Sequence, residues 1–380
     1  MDKDTLFSSF GKWLEPICLQ TFKERIAEVG QDKYVKKLTT PAYLKLFLHA
    51  QLQQRDGLRE IADDVLSEEF QKELGLVSIS AAQLSRKHNQ VDSTLLEQLF
   101  TQLVARVLKQ ASTSKHRNDF KIIDSTTIGL CLQRYKWAVF RKTKAGIKIH
   151  LRLVFVDEHD VAPEKAVMTP AQKHDRTQMN TLIDEEGATY VFDRGYVDYE
   201  AFDRYCDTGI FFVSRLKKNA VLRPIYTFKL PAESSVASDQ MVYVGTPQKR
   251  MENVLRLIHT TDSQGNAIAI VTNRFDLEAD EIGEMYRKRW AIETFFKWMK
   301  QHIRIKSFYG TSERAVMNQV WIALIAFCLL VLVKQETGTS HSLLDLYRWL
   351  KTLLWKPFNK WLDRIHRRPS RSSQGRRKKS

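Results

Sequence analysis

FKIID at residues 120–124, IKIHLRLVFV at 147–156, ATYVFD at 188–193 and IFFVS at 210–214 are the segments on which the fold turns. Each is short and rich in β-branched or aromatic residues, so each reads as a strand, and Lys136–Phe140 reads as another. The helical pattern DYEAFDRYCD (198–207) falls between the last two strands. Strands interleaved with helices indicate an α/β fold built on a mixed sheet. From 217 to 275 the strand pattern continues with no helix between its members: VLRPIYTF (221–228), MVYVG (241–245), NVLRLIHTT (253–261) and AIAIVTN (267–273). That run reads as an all-β insertion within the α/β domain.

Outward from this core the texture becomes helical. On the N-terminal side, apolar positions recur at helical spacing through Phe22–Val29, Tyr43–Leu52 and Leu58–Phe70. Residues 58–90 read as helix, turn, helix, with Gly75 in the turn and Ser80 as the N-cap of a second helix. That second helix carries Gln83, Arg86, Lys87 and Asn89, side chains able to meet DNA bases or phosphates; a plain pair of short helices is the other reading. On the C-terminal side, helical pattern resumes near Glu278 and continues through VWIALIAFCLLVLV (320–333). Fourteen apolar residues are too few to span a bilayer comfortably, so this is expected to be a buried core helix. The expected divisions are a helical DNA-binding domain at 1–112, an α/β core at 113–312, C-terminal helices at 313–363, and a disordered basic tail at 364–380.

The charge balance narrows the partners. Sixty Lys and Arg stand against forty-four Asp and Glu, a net charge of +16. Such an excess is an electrostatic footprint for a polyanion, nucleic acid before an anionic membrane. The four cysteines form no CxxC pair, which suggests neither zinc nor a disulfide framework and points to a reducing compartment. The N-terminus MDKDTLFSSF has no long apolar run, so a cytoplasmic protein is expected.

Two acids sit where strands are expected to end. Asp124 closes FKIID and precedes Ser125-Thr126-Thr127; Asp193 closes YVFD and precedes Arg194-Gly195-Tyr196. A carboxylate fixed at a sheet edge suits a hard cation such as Mg²⁺, though either Asp taken alone reads more readily as a turn or cap residue. A sharper pattern lies in MYRKRWAIETFFKWMKQHI (285–303). At about 100° per residue, with Tyr286 at zero, Arg289, Glu293 and Lys300 fall near −60°, −20° and −40°, one sector roughly 60° wide. Met285, Ile292, Phe296, Met299 and Ile303 form an adjoining apolar stripe. Rise separates the roles: Tyr286 and Lys300 each lie about 10 Å from Glu293 along the axis, whereas paired catalytic ions sit only about 4 Å apart. Glu293 is therefore the metal ligand of the set, and Tyr286, Arg289 and Lys300 the phosphate grip. The plainer reading is a surface helix with i,i+4 support between Arg289 and Glu293.

The spacing Tyr, two residues, Arg, three residues, Glu, six residues, Lys resembles the signature of the DDE transposases of insertion-sequence family four. IIDST (122–126) and FDRGY (192–196) are similar to that family's segments around its two catalytic aspartates. KAGIKIH (144–150), Thr169-Pro170, His174-Asp175, VTN (271–273) and KQHIRIKSFYGTS (300–312) follow in the family's order, and the similarity runs from about residue 5 to 345. The resemblance implies an RNase H-like core with Asp124, Asp193 and Glu293 around two Mg²⁺ ions, with Mn²⁺ as a substitute. It further implies terminal-repeat and target DNA as partners, a synaptic homodimer, and strand cleavage through a hairpin. Arg194 and Lys297 join the expected DNA contacts; Trp290 is a candidate to stack on a flipped base, Trp298 is less well placed, and core packing is the favoured role for either. The rival readings are a nuclease that does not transpose and a non-catalytic DNA-binding repressor.

Overall fold

The structure, a computed structural model, describes residues 8–111, 119–158, 160–262 and 264–367 of the 380. They divide into two units, one drawn from Met1–Gln110 with His302–Ser380 and the other from Ala111–Gln301.

The second unit is built on one sheet. Its strands are β1 (Lys121–Leu130), β2 (Val139–Arg141), β3 (Lys144–Phe155), β4 (Val161–Pro170), β5 (Thr189–Phe192), β6 (Phe211–Arg215), β7 (Leu222–Thr227), β8 (Ser238–Thr246), β9 (Lys249–Arg250), β10 (Leu255–Thr261) and β11 (Ala267–Thr272). They run in the order β2-β3-β1-β5-β6-β11-β10-β8-β7, with β4 also on β3 and β9 on β8. β1 is antiparallel to β3 and parallel to β5, and β5 is parallel to β6. The core is thus mixed α/β with an RNase H-like arrangement, antiparallel on one side of β1 and parallel on the other. Strand β3 is buried almost throughout, because its sequence is apolar on one face and supplies Ile147 and Leu153 to the interior. Residues 217–275 hold β7–β11 and, among the described residues, no helix. They do not form a separate sheet: β11 pairs antiparallel with β6 and extends the core sheet outward.

Three local expectations change. Lys136–Ala138 is a 3-10 turn, and only Val139–Arg141 is strand. Strand β4 was not anticipated from VAPEKAVMTP, because its prolines argue against a strand. It is accommodated because it lies at the β3 edge, with Pro163 beside a register shift opposite Arg152 and Leu153. Finally, 285–303 is not one helix. Ala279–Lys288 and Trp290–His302 meet at Arg289, where the Arg289 N–H bonds to the Tyr286 carbonyl and the Ile292 N–H to the Arg289 carbonyl, both i to i−3. These tighter bonds form a single 3-10-like turn between two α-helices.

In the first unit, Glu313–Thr337 is the central helix, capped by the Ser312 hydroxyl and ended by Gly338 at φ 59°. Every residue from Val320 to Val333 is buried. Among the described residues this is the one helix long and apolar enough to cross a membrane, and its apolar window is 94% buried inside the protein. The expected single helix Leu58–Phe70 is two, Leu58–Asp64 and Glu68–Leu74, because the Ser67 hydroxyl accepts from Phe70 N and starts a new helix. Gly75 (φ 63°) then makes the turn, and Ser80 with Gln83 forms a capping box on Ala81–Gln90. Arg364 to His366 belong to a last helix, Phe358–His366; residues 368–380, most of the expected basic tail, lie outside the described residues.

Candidate active site

Asp124 does not close its strand, since β1 runs six residues further. The pairing with β5 does end there: the last β1–β5 partners are Ile123 and Phe192. Asp124 and Asp193 are thus the next residue on each of two parallel strands at the point where they part. Alternation puts Asp124 and Thr126 on one face of β1 and Ile123 and Ser125 on the other. The Asp124 Oδ1 accepts the Ser125 N–H at 2.7 Å. Asp193 begins the 3-10 turn Arg194–Tyr196, and its Oδ1 accepts the Arg194 N–H at 2.5 Å.

The glutamate helix supplies the third carboxylate through an arginine. The Arg289 guanidinium donates from Nη1 to Asp124 Oδ2 at 3.3 Å and from Nη2 to Glu293 Oε1 at 2.7 Å. Seven residues beyond Glu293, two turns along the helix, Lys300 donates from Nζ to the Thr126 hydroxyl, so Arg289 and Lys300 both reach the Asp124 face of β1. Arg289 and Glu293 meet in an ion pair, and Lys300 stands on the same face of β1 through Thr126. Tyr286 is not in their company at the surface. It is only 5% exposed, and its ring lies 5.6 Å beneath the Arg289 guanidinium. A side chain so buried cannot grip a phosphate; Tyr286 supports Arg289 instead.

The electrostatics of the cluster are lopsided. Burial, together with the charges of Asp193 and Glu293, lifts the Asp124 carboxyl from 3.8 to about 6, against the pull of the Ser125 N–H and Arg289. Arg289 is itself held above its usual range, the charges of Tyr286, Glu293 and Asp124 outweighing its burial. Among the described residues no three His, Cys, Asp or Glu side chains already close on one point as a finished ion cage. What the site offers is a hard, oxygen-only donor set with surplus negative charge and one arginine spanning two of its acids.

Arg194 and Lys297 are exposed. Arg194 lines a cleft of about 430 Å³ with Arg215, Lys217 and Lys218 at the base of the insertion. Trp290 is 47% exposed. In the helical unit, Arg86 is exposed, but Gln83 is engaged in its capping box. Lys87 must be withdrawn as a DNA contact: it is 6% exposed and ion-paired with Asp32 at 2.5 Å. Sequence reading named Ser125 and the segments holding Lys148, His150 and Asp175 but gave none of them a place in the site; they cluster behind Asp124. Their signal was present in IKIHLRLVF, where Lys148, His150 and Arg152 alternate with apolar residues and so share one strand face.

Comparison with known proteins places these residues in context. The model of the transposase DDE domain matches residues 115–329, more than half of the chain, and that of a domain of unknown function (DUF4372) matches 6–76. A Geobacillus stearothermophilus protein described as the probable transposase for insertion sequence element IS5377 is 30% identical over 331 residues, 85% of each chain. A Synechocystis protein assigned as the transposase of insertion sequence element IS4SA is 26% identical over 274 residues, 67% of this chain and 73% of that one. Among solved structures, a chain of the piggyBac transposase synaptic complex with hairpin DNA aligns with a TM-score of 0.52 at 8% identity, covering 95% of this chain and 82% of that chain. That likeness is one of fold.

Proposed function

The chain belongs to the transposase DDE domain family, and from that premise we propose that it is a cut-and-paste DNA transposase of insertion-sequence family four. The observation that carries the reading is the Asp124 carboxyl. It stands where β1 and β5 part, is raised to about 6, and has Asp193 and Glu293 as its acidic neighbours. A half-buried carboxylate raised first by desolvation and further by neighbouring carboxylates is relieved by a cation, and an oxygen-only donor set suits Mg²⁺, with Mn²⁺ as a substitute. Asp124, Asp193 and Glu293 would hold the ions; when bound, a pair of such ions activates a water and stabilises a leaving 3′-oxygen.

The chain's own residues then divide the work. Arg289, seated on Tyr286, keeps Asp124 and Glu293 in register. Lys300, Arg194 and Lys297 hold the DNA backbone on either side. Arg86 and Gln83 of the helical unit contact the terminal repeats. The freed 3′-hydroxyl attacks the opposite strand to close a hairpin, and a homodimer pairs two ends before insertion into target DNA, in the cytoplasm at the nucleoid. The net charge of +16 supports a polyanionic partner throughout.

The test compares wild type with Glu293→Ala on a duplex bearing the element's end, with Mg²⁺. Nicking should fall more than about a hundredfold, the upper range for merely supporting groups. Equal nicking would show that the site lies elsewhere. Joined product with a target plasmid separates transposition from simple cleavage.

A further inference from the structure

Behind Asp124, on the other face of the sheet, lies a second polar cluster. The β1–β3 register sets Ser125 opposite His150 and Thr127 opposite Lys148, so Ser125, His150 and Lys148 share the face that Asp124 does not. Asp175, which opens the 3-10 turn Asp175–Gln178, reaches this face. Its Oδ1 accepts the Ser125 hydroxyl at 2.6 Å, and the same oxygen lies 3.1 Å from Lys148 Nζ and 3.5 Å from His150 Nδ1. His150 Nε2 meets the Thr169 hydroxyl at 3.0 Å. Burial lowers His150 to about 4, so at neutral pH Lys148 is the cation of the cluster. The turn that carries Asp193 leans on the same acid: a Cβ at Gly195 would stand 3.8 Å from Asp175 Oδ2.

The need for an anchor there follows from the topology. Among the described residues β1 pairs with β5 only as far as Ile123, and the like charges of Asp193 and Glu293 act on Asp124 just past that point. We propose that Asp175 is a positioning residue for the metal site, fixing Asp124 through Ser125. Ser125 is the lever. Its hydroxyl is tied to Asp175 behind the sheet, while its backbone N–H holds the Asp124 carboxylate in front. Neighbouring residues on a strand face opposite ways, so holding one side chain fixes the peptide plane that orients the other. Asp175 touches neither DNA nor ions in this role. It acts in the way outer carboxylates orient metal ligands. The role rests on the reading of Asp124 as a metal ligand.

The experiment uses the full chain and Mn²⁺ alone as probe, by calorimetric titration, alongside nicking kinetics. Asp175→Ala and Ser125→Ala should each weaken Mn²⁺ binding and lower kcat by about 10–100-fold, with KM for DNA unchanged, and Asp175→Asn, whose amide oxygen still accepts from Ser125, should stay within about threefold of wild type. The double variant should be no worse than either single one, because both break one link. Should Asp175→Ala fail to fold, Ser125→Ala and Asp175→Asn carry the test. Wild-type Mn²⁺ binding in the variants, additive losses in the double, or an Asp175→Asn as impaired as Asp175→Ala would each overturn the positioning role alone. A wild type that binds no Mn²⁺ would overturn the metal-site reading and this role together.

Discussion

Strand β1 carries two clusters of the same residue types arranged to opposite effect. Near Lys121, the Arg152 guanidinium is buried and ion-paired with Glu164 at 2.6 Å, Asp184 at 2.5 Å and Glu185 at 2.8 Å. Lys121 joins Glu164 and Glu185, and Lys165 joins Asp184. Among the described residues three cations thus meet three acids. A few residues on, Asp124, Asp193 and Glu293 have Arg289 as the cation in ion-pair contact with two of them. The consequences differ in sign. Burial alone would raise Asp184, but bonds from Lys165 and Arg152 hold it below its ordinary value, whereas Asp124 is pushed up to about 6. The first cluster is closed and structural, and the second is short of positive charge in the way a cation site must be. Residue type does not separate them; compensation does.

The largest expected effect breaks the closed cluster. Arg152→Ala would leave the buried Glu164 with Lys121 but without its arginine, and losing one partner of a buried pair costs at most about 3–5 kcal/mol. The pairs with Asp184 and Glu185, whose side chains are 39% and 46% exposed, add less because water screens them. Urea unfolding should show the loss, while nicking per folded molecule should persist. A stable Arg152→Ala protein would remove the contrast between the two clusters.

Asp124→Asn should do the reverse, stripping activity and sparing the fold. Nicking in Mg²⁺ should drop by about a hundredfold or more, beyond what supporting residues contribute. In metal-free buffer the variant should be the more stable protein. The sign follows from linkage. A carboxyl raised in the folded state contributes stability that is fully present below about 3.8 and lost as pH rises through about 6. Asn, which never ionises, escapes that loss. The variant's advantage should therefore open between about pH 4 and 6, reach on the order of 2 kcal/mol, and shrink when Mg²⁺ is added. For Asp184 the window is inverted: its contribution is present above its ordinary value and lost as pH falls. Melting curves of wild type and Asp124→Asn across pH 3–8 decide the matter (roughly the span that brackets both groups); no divergence above pH 6 would refute the raised carboxyl.

Much of this was legible in the chain, and the failures share a cause. The strands carrying Asp124 and Asp193 declare themselves through local runs of Ile, Val and Phe, as does the insertion. The Arg289–Glu293–Lys300 face survives because Glu293 and Lys300 lie on one uninterrupted helix, Trp290–His302, with Arg289 at its start. Tyr286 was misplaced because a wheel assumes a uniform 100° step, and the two i to i−3 bonds at Arg289 tighten that step locally. Lys87 misled because its partner, Asp32, is 55 residues away. Asp175 was quoted only as part of the His174-Asp175 pair, with no role, because its contact is with Ser125, 50 residues distant, on a face of β1 defined by pairing with β3. Local chemistry was readable; long-range pairing was not.

The smallest expected effect asks what Arg289 contributes to the open cluster. If it supplies charge alone, Arg289→Lys should match wild type. An arginine, however, donates from both ends of a rigid fork, and here Nη1 meets Asp124 while Nη2 meets Glu293. A lysine can face only one of them at a time. The cation over Tyr286 would also be retained, at about 0.5–1 kcal/mol. Arg289→Lys should therefore keep the pH midpoint of nicking near that of wild type, since a positive charge still opposes the rise of Asp124. Its rate should nevertheless fall by about tenfold, the worth of one charged hydrogen bond of roughly 1.5 kcal/mol. A midpoint moved upward at unchanged maximal rate would mean that charge, not registration of the two acids, is what the arginine brings.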